Sequence, residues 1–133
     1  MQISNNFKLE EFTRSDIAKK YGISNDITQS AKMNIIYLVK NLLQPLREMY
    51  GKPIHINSGF RCPELNFHEK MNGSKNSQHM TGEAADIRPD NPKDLSLLTD
   101  MILKYFEFDQ IKVYPTFIHI SLRRQNNRYQ DKT

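Results

Sequence analysis

Three side chains of the types that bind transition metals stand out in this sequence. His79 follows the polar pair Ser77-Gln78, Asp86 comes seven residues after His79, and His119 lies far downstream in the apolar run FIHISL. Imidazole nitrogen and carboxylate oxygen both bind zinc, and a catalytic zinc ion takes three protein ligands and leaves a fourth position open. We therefore interpret His79, Asp86 and His119 as the ligands of one Zn²⁺ ion.

The predicted backbone can bring these three side chains to one point. Gly82 supplies a sharp turn between His79 and Asp86, so both side chains can face the same side. His119 alternates with isoleucines in a predicted strand and therefore faces away from them. The spacing by itself is a weak indication, because each residue also has an ordinary structural explanation as a loop histidine, a strand-end aspartate or a buried core histidine.

The pattern of apolar residues predicts an α+β fold in which a small antiparallel sheet is backed by helices. The longest helix, 28–50, has apolar residues at spacings of three and four, and we expect it to kink or divide at Pro45. The predicted helices are 15–22, 28–50, 63–71 and 91–105, and the predicted strands are 54–57, 84–88, 108–114 and 117–122.

Size and composition limit the organisation of the chain. With 133 residues, of which 38% are hydrophobic and 26% charged, it is long enough for one domain, 1–133, with a single core. We expect the polar tail, 124–133, to be frayed. Cys62 is the only cysteine, so an intrachain disulfide and a cysteine-based zinc site are both excluded.

Charge and hydropathy predict few partners other than a substrate. The net charge is +4, but the basic residues are scattered, which does not favour a nucleic-acid binder. No apolar run approaches the roughly 20 residues that a membrane span needs, and the N-terminus MQISNNFKLEEF lacks the pattern of a signal peptide. We expect a monomer, in the cytoplasm until another factor releases it, that binds neither nucleic acid nor membrane.

Three segments together resemble one known family. They are SGFRCPELN at 58–66, SQHMTGEAADI at 77–87 and FDQIKVYPTFIHIS at 108–121. In this order they resemble the zinc D-alanyl-D-alanine carboxypeptidase-like peptidases, which include phage endolysins that cut L-alanyl-D-glutamate bonds and share their fold with the hedgehog signalling domain. The resemblance covers nearly the whole chain. It implies a zinc-dependent peptidase that acts at the bacterial cell wall and hydrolyses a bond in peptidoglycan stem peptides, as a DD-carboxypeptidase or an endolysin.

The resemblance also implies roles for individual residues. His79, Asp86 and His119 match the metal ligands of the family. Arg61 matches an arginine that contacts the substrate and the developing oxyanion, a role that a fixed positive charge suits. Ser77 and Gln78 match the segment that lines the cleft.

The general base of the family has no evident counterpart here. Relatives carry a Glu or Asp three residues before the last histidine, where this chain has Thr116, or at the end of the preceding strand, near Tyr114. A phenol is a poor base at pH 7, although it can donate a hydrogen bond to an oxyanion. We expect Glu83 to point to solvent and Asp109 to be structural. The alternative is therefore a catalytically weak or inactive zinc-containing module that recognises cell wall or a virion protein.

Overall fold

Five strands form one mixed sheet in the computed structural model, which describes residues 1–133. The strands are β1 (Ile54–Ser58), β2 (Ala84–Pro89), β3 (Gln110–Val113), β4 (Ile118–Ser121) and β5 (Gln130–Asp131). Their order across the sheet is β1-β2-β4-β3-β5. The first four strands pair antiparallel, and β5 pairs parallel with β3. The predicted α+β fold with a helix-backed sheet is confirmed, and the fifth strand is an addition to it.

Six short α-helices accompany this sheet. They are α1 (Glu10–Thr13), α2 (Asp16–Lys20), α3 (Gln29–Leu38), α4 (Gln44–Tyr50), α5 (Pro63–Asn66) and α6 (Leu95–Tyr105), with a π-helical turn at Val39–Leu43 and a 3-10 turn at Pro92–Asp94. The hydroxyls of Ser15 and Thr28 accept hydrogen bonds from the first turns of α2 and α3, which fixes where each helix begins. None of the helices is both long and apolar enough to span a lipid bilayer.

The long predicted helix is interrupted next to Pro45, as expected. Proline lacks an N–H and its ring clashes with the carbonyl four residues earlier, and the wide π-helical turn lies just before it. Before this turn, Ile35 is fully buried on the face that packs into the core, whereas Met33, two residues earlier and so about 200° away around the α-helix, is 43% exposed.

The hydrophobic core lies between the helices and one face of the sheet. Ile87 of β2 and the isoleucines Ile118 and Ile120 of β4 are fully buried in it. Because side chains alternate along a strand, Asp86 and His119 project from the opposite face. The packing of one face of β2 and β4 into the core therefore fixes the position of the polar side chains on their other face.

The C-terminal tail differs from the frayed segment expected for residues 124–133. Its last residues form β5, and Gln110 pairs with Gln130 across the sheet. A long-range ion pair helps to hold the tail against the sheet. The fully buried carboxylate of Asp109 accepts hydrogen bonds from both the backbone N–H and the guanidinium of Arg128. A buried carboxylate needs such partners, and this requirement ties the tail to β3.

Candidate metal centre

The candidate site is built on one row of residues that crosses the polar face of the sheet. Ser58 pairs with Asp86, Asp86 pairs with His119, and His119 pairs with Lys112. Residues directly opposite one another in antiparallel strands have Cβ atoms about 5 Å apart and project to the same side. Strand register alone therefore makes Asp86 and His119 neighbours.

His79 reaches this row from the loop that precedes β2. Its side chain is 4% exposed and its Nδ1 lies 2.7 Å from the carbonyl oxygen of Gly59. A carbonyl can only accept, so Nδ1 carries the proton and Nε2 presents a lone pair toward Asp86. Gly82 has a φ of +78°, which turns the chain between His79 and Asp86 as the sequence predicted.

The three predicted ligands come together with spacings that suit zinc. Asp86 Oδ1 lies 3.3 Å from His79 Nε2 and 2.9 Å from His119 Nδ1, and the three ligand atoms lie within 4.8 Å of one another. Tetrahedral zinc with bonds of about 2.1 Å separates its ligand atoms by roughly 3.4 Å. Two imidazoles and one carboxylate also form a donor set used by catalytic zinc, so the residues fit the ion.

The charge states of the cluster favour metal binding as well. Burial lowers the pKa of His79 although Asp86 opposes this shift, so the imidazole is neutral, as a ligand must be. Burial alone would raise the pKa of Asp86, but the hydrogen bond with His119 and the close approach of His79 outweigh it, and the pKa is lowered. Asp86 is therefore ionised at neutral pH.

Arg61 stands beside the cluster and is held by three neighbours. Its Nε donates to Ser58 Oγ at 3.1 Å, and its two terminal nitrogens donate to Asn66 Oδ1 at 3.4 Å and to Asp86 Oδ2 at 3.5 Å. Burial lowers the pKa of Arg61, partly offset by Asp86, and a guanidinium stays charged in proteins. The structure thus places a fixed positive charge next to a predicted metal ligand.

A cleft of about 470 Å³ opens over the cluster and Arg61. Asp86 is the only carboxylate on its walls. Glu83 lies outside them, where its carboxylate accepts a hydrogen bond from Thr81, and Asp109 is buried under Arg128. No carboxylate apart from the candidate ligand is therefore available in the cleft as a general base.

Comparison with known families identifies the chain. The family model described as Peptidase M15 matches residues 5–121, which is most of the chain. The chain belongs to the M15 peptidase family. These are zinc peptidases of the D-alanyl-D-alanine carboxypeptidase-like type, so the recognised resemblance is confirmed. A comparison with curated proteins found no match.

The remaining predicted site residues of this M15 peptidase fall in different places. Ser77 lines the cleft, and its hydroxyl accepts a hydrogen bond from the backbone N–H of His79. Gln78 lines a smaller adjoining cavity instead, because its amide donates to Asp109 Oδ2 at 2.9 Å. Tyr114 is on the cleft wall, with its ring stacked on Phe117 at a centroid distance of 4.5 Å.

Three residues of the cleft region were missed by sequence reasoning. Asn66 is fully buried, accepts from Arg61 and donates to the carbonyl of Ser74, so it orders the polar loop that forms one wall. Lys112 and Lys132 line the opposite side of the cleft. Strand alternation from His119 and Tyr114 could have indicated Lys112, but nothing local to the sequence indicated Lys132.

Proposed function

We propose that this M15 peptidase uses Zn²⁺ to hydrolyse a peptide bond in bacterial peptidoglycan stem peptides, as a DD-carboxypeptidase or an endolysin. One observation carries the proposal: the ligand atoms of His79, Asp86 and His119 lie within 4.8 Å of one another at the base of an open cleft. In this proposal the protein is a monomer, made in the cytoplasm, that acts at the cell wall after release.

The side chains of the cleft supply the binding and orientation that such a reaction needs. A zinc ion at the three ligands supplies Lewis-acid activation of water and of the scissile carbonyl. Arg61, already fixed by Ser58 and Asp86, contacts the substrate and stabilises the negative charge that develops on its carbonyl oxygen. The hydroxyl of Tyr114 is the candidate for a second hydrogen-bond donor to that oxygen.

The second candidate function is a zinc-containing binding module with weak or no catalysis. The observation that favours it is the composition of the cleft, where Asp86 is the only carboxylate and serves as a candidate ligand. A positioned general base contributes roughly 10²–10⁴-fold in rate, so its absence would leave recognition of cell wall or a virion protein as the main activity.

Elemental analysis followed by a cleavage assay separates these functions. Protein purified without a histidine tag is expected to hold one zinc per chain and to release new amino and carboxyl termini from peptidoglycan. His119→Ala should lose both properties, whereas His55→Ala, which alters an exposed histidine paired with Asp90, should keep both. Stoichiometric zinc without cleavage at any pH would establish the binding module, and absence of zinc would refute both functions.

A further inference from the structure

The side of the cleft formed by β3 and β5 carries two lysines that the proposed reaction does not yet use. Lys112 pairs with His119 in the strand register, so it projects from the same face as the candidate ligands. The backbone N–H of Lys132 donates to the carbonyl of Ile111 at 2.8 Å, which continues the parallel pairing of β5. In that register Lys132 lies beside Lys112, and both line the cleft.

Neither lysine has an acidic partner in the protein. No carboxylate lies within ion-pair distance of either amine among the ion pairs of the chain. The nearest carboxylate in the cleft, Asp86, already contacts both histidines and Arg61. Three cationic side chains therefore line the cleft, together with one carboxylate that already contacts other side chains. This excess of positive charge favours an anionic ligand.

The two groups of positive charge lie on opposite sides of the candidate metal centre. Arg61 contacts Asp86 on β2, whereas the lysines lie one and two strands beyond His119 in the order β2-β4-β3-β5. At a strand spacing of about 4.8 Å, the lysines stand roughly 5 and 10 Å from His119 across the sheet. An extended peptide spans that distance with about two residues.

We propose that Lys112 and Lys132 form a carboxylate-binding subsite that selects peptides with a free carboxylate about two residues from the scissile bond, on the side away from Arg61. This subsite rests on the proposed peptidase function. It takes a carboxylate because neither amine has an ion-pair partner, and the only side-chain interaction of either amine is with the neutral ring of Tyr114, whose centroid lies 5.1 Å from Lys112 Nζ. Lys132 reaches the subsite only because the C-terminal tail forms β5.

A matched pair of peptides tests the subsite. The two stem-peptide analogues are identical except that one carries a free carboxylate at the selected residue and the other a carboxamide. Wild-type protein is expected to cleave the carboxylate peptide with a kcat/KM about tenfold higher, since two solvent-accessible charge contacts contribute modestly. The difference should reside in KM, and the double variant Lys112→Gln/Lys132→Gln should lose it.

Binding to zinc-free protein, measured by calorimetry, keeps the test independent of catalysis. The carboxylate peptide should bind about tenfold more tightly than the amide, and the double variant should bind the two peptides equally. Lys104→Gln, which removes the same charge from exposed α6 outside the cleft, should keep the preference.

The outcomes separate the two proposals. A preference in binding without any cleavage would support the subsite and refute the peptidase function. Two results would overturn the subsite, even if the protein cleaves both peptides. One is a preference for the carboxylate peptide that the double variant retains, and the other is the absence of any preference in both assays.

Discussion

The two walls of the cleft are built in opposite ways. On the β1–β2 side, the side chains of Arg61, His79 and Asp86 are between 4% and 13% exposed, and each has hydrogen-bond partners within the protein. On the β3–β5 side, Lys112 and Lys132 are exposed and have no ion-pair partner. The first wall is held by the protein itself, whereas the second leaves its charges for a ligand.

This difference separates metal binding from substrate selection. A metal site needs ligand atoms fixed to within fractions of an ångström, which the buried hydrogen bonds of His79 and Asp86 achieve. A subsite for a charged substrate group needs reach and solvent access, which long lysine side chains provide. Changes to the first wall should therefore have the larger effects, and changes to the second should alter which substrate is preferred.

Removal of the carboxylate at the centre of the first wall should have the largest effect. Asp86→Ala takes away a candidate ligand and leaves Arg61 without its acidic neighbour. We expect zinc affinity to fall by more than about 100-fold, because loss of an outer hydrogen-bond partner alone costs 10–100-fold, and peptidase activity to disappear. Competition with a chromophoric chelator measures the affinity.

The matched control for this change is Asp90→Ala. It removes the same charge from an exposed residue that pairs with His55 at 2.6 Å outside the cleft. Zinc affinity and activity should remain as in the wild type. Retention of wild-type zinc affinity in Asp86→Ala would show that the β1–β2 wall does not hold the metal.

The loop that carries His79 should be the next most sensitive point. A Cβ atom at Gly82 would lie 2.2 Å from the backbone oxygen of Ala31 in α3, so Gly82→Ala must displace the loop. We expect a loss of about 3–5 kcal/mol in the free energy of unfolding, from strain at positive φ and the backbone clash together. Urea denaturation of zinc-free protein measures it, and zinc affinity should fall too.

Gly51→Ala separates the two causes. Gly51 has a φ of +79°, close to that of Gly82, but a Cβ there would meet nothing within 4 Å. Its replacement should cost only about 1–2 kcal/mol, the penalty for left-handed backbone, and leave zinc affinity unchanged. Equal losses for the two variants would mean that the loop is not pressed against α3.

The two walls also differ in how far the sequence predicts them. His79, Gly82 and Asp86 are close in sequence, so a turn followed by a strand was enough to predict that the two side chains would meet. The second wall depends on contacts between distant residues, since β5 is held by the pairing of Arg128 with the buried Asp109 and by hydrogen bonds to β3. No local pattern contains that information.

The position of Gln78 has the same origin. Gln78 belongs to the segment expected to line the cleft, and its amide donates to Asp109, 31 residues away, which turns it toward the adjoining cavity. Periodicity predicted the α+β class and the distortion of the long helix beside Pro45. The meeting of His119 with Asp86 depends on the pairing of β2 with β4, and it was indicated by the family resemblance rather than by spacing.

Tyr114 tests whether the second wall takes part in the reaction as well as in binding. Tyr114→Phe removes the hydroxyl but keeps the ring that stacks on Phe117. If the hydroxyl donates to the oxyanion, kcat should fall by about 100-fold with KM nearly unchanged, as for other single oxyanion donors. Tyr105→Phe, at an exposed position on α6, is the control. An unchanged kcat would leave Tyr114 as a wall residue only.

The smallest effect is expected where the tail is attached to the second wall. Arg128→Met removes the guanidinium that donates to Asp109, whose carboxylate has no exposed surface. We expect the free energy of unfolding to fall by only about 1–2 kcal/mol, because Arg128 is 43% exposed and water can reach its place. Arg124→Met, at an exposed residue outside this ion pair, should cost much less.

The pH dependence of the stability loss in Arg128→Met tests the ion pair more directly than the size of the loss. Burial alone would raise the pKa of Asp109, but hydrogen bonds from Arg128 and Gln78 outweigh it and lower the pKa. A lowered pKa stabilises the folded protein above the unfolded value of about 4, and this contribution is lost as the pH falls through the folded pKa. The difference between wild type and Arg128→Met should therefore be largest at neutral pH and shrink in acid. A difference that stays constant down to pH 3 would show that the ionised Asp109 does not hold the tail, and the β3–β5 wall would then need another anchor.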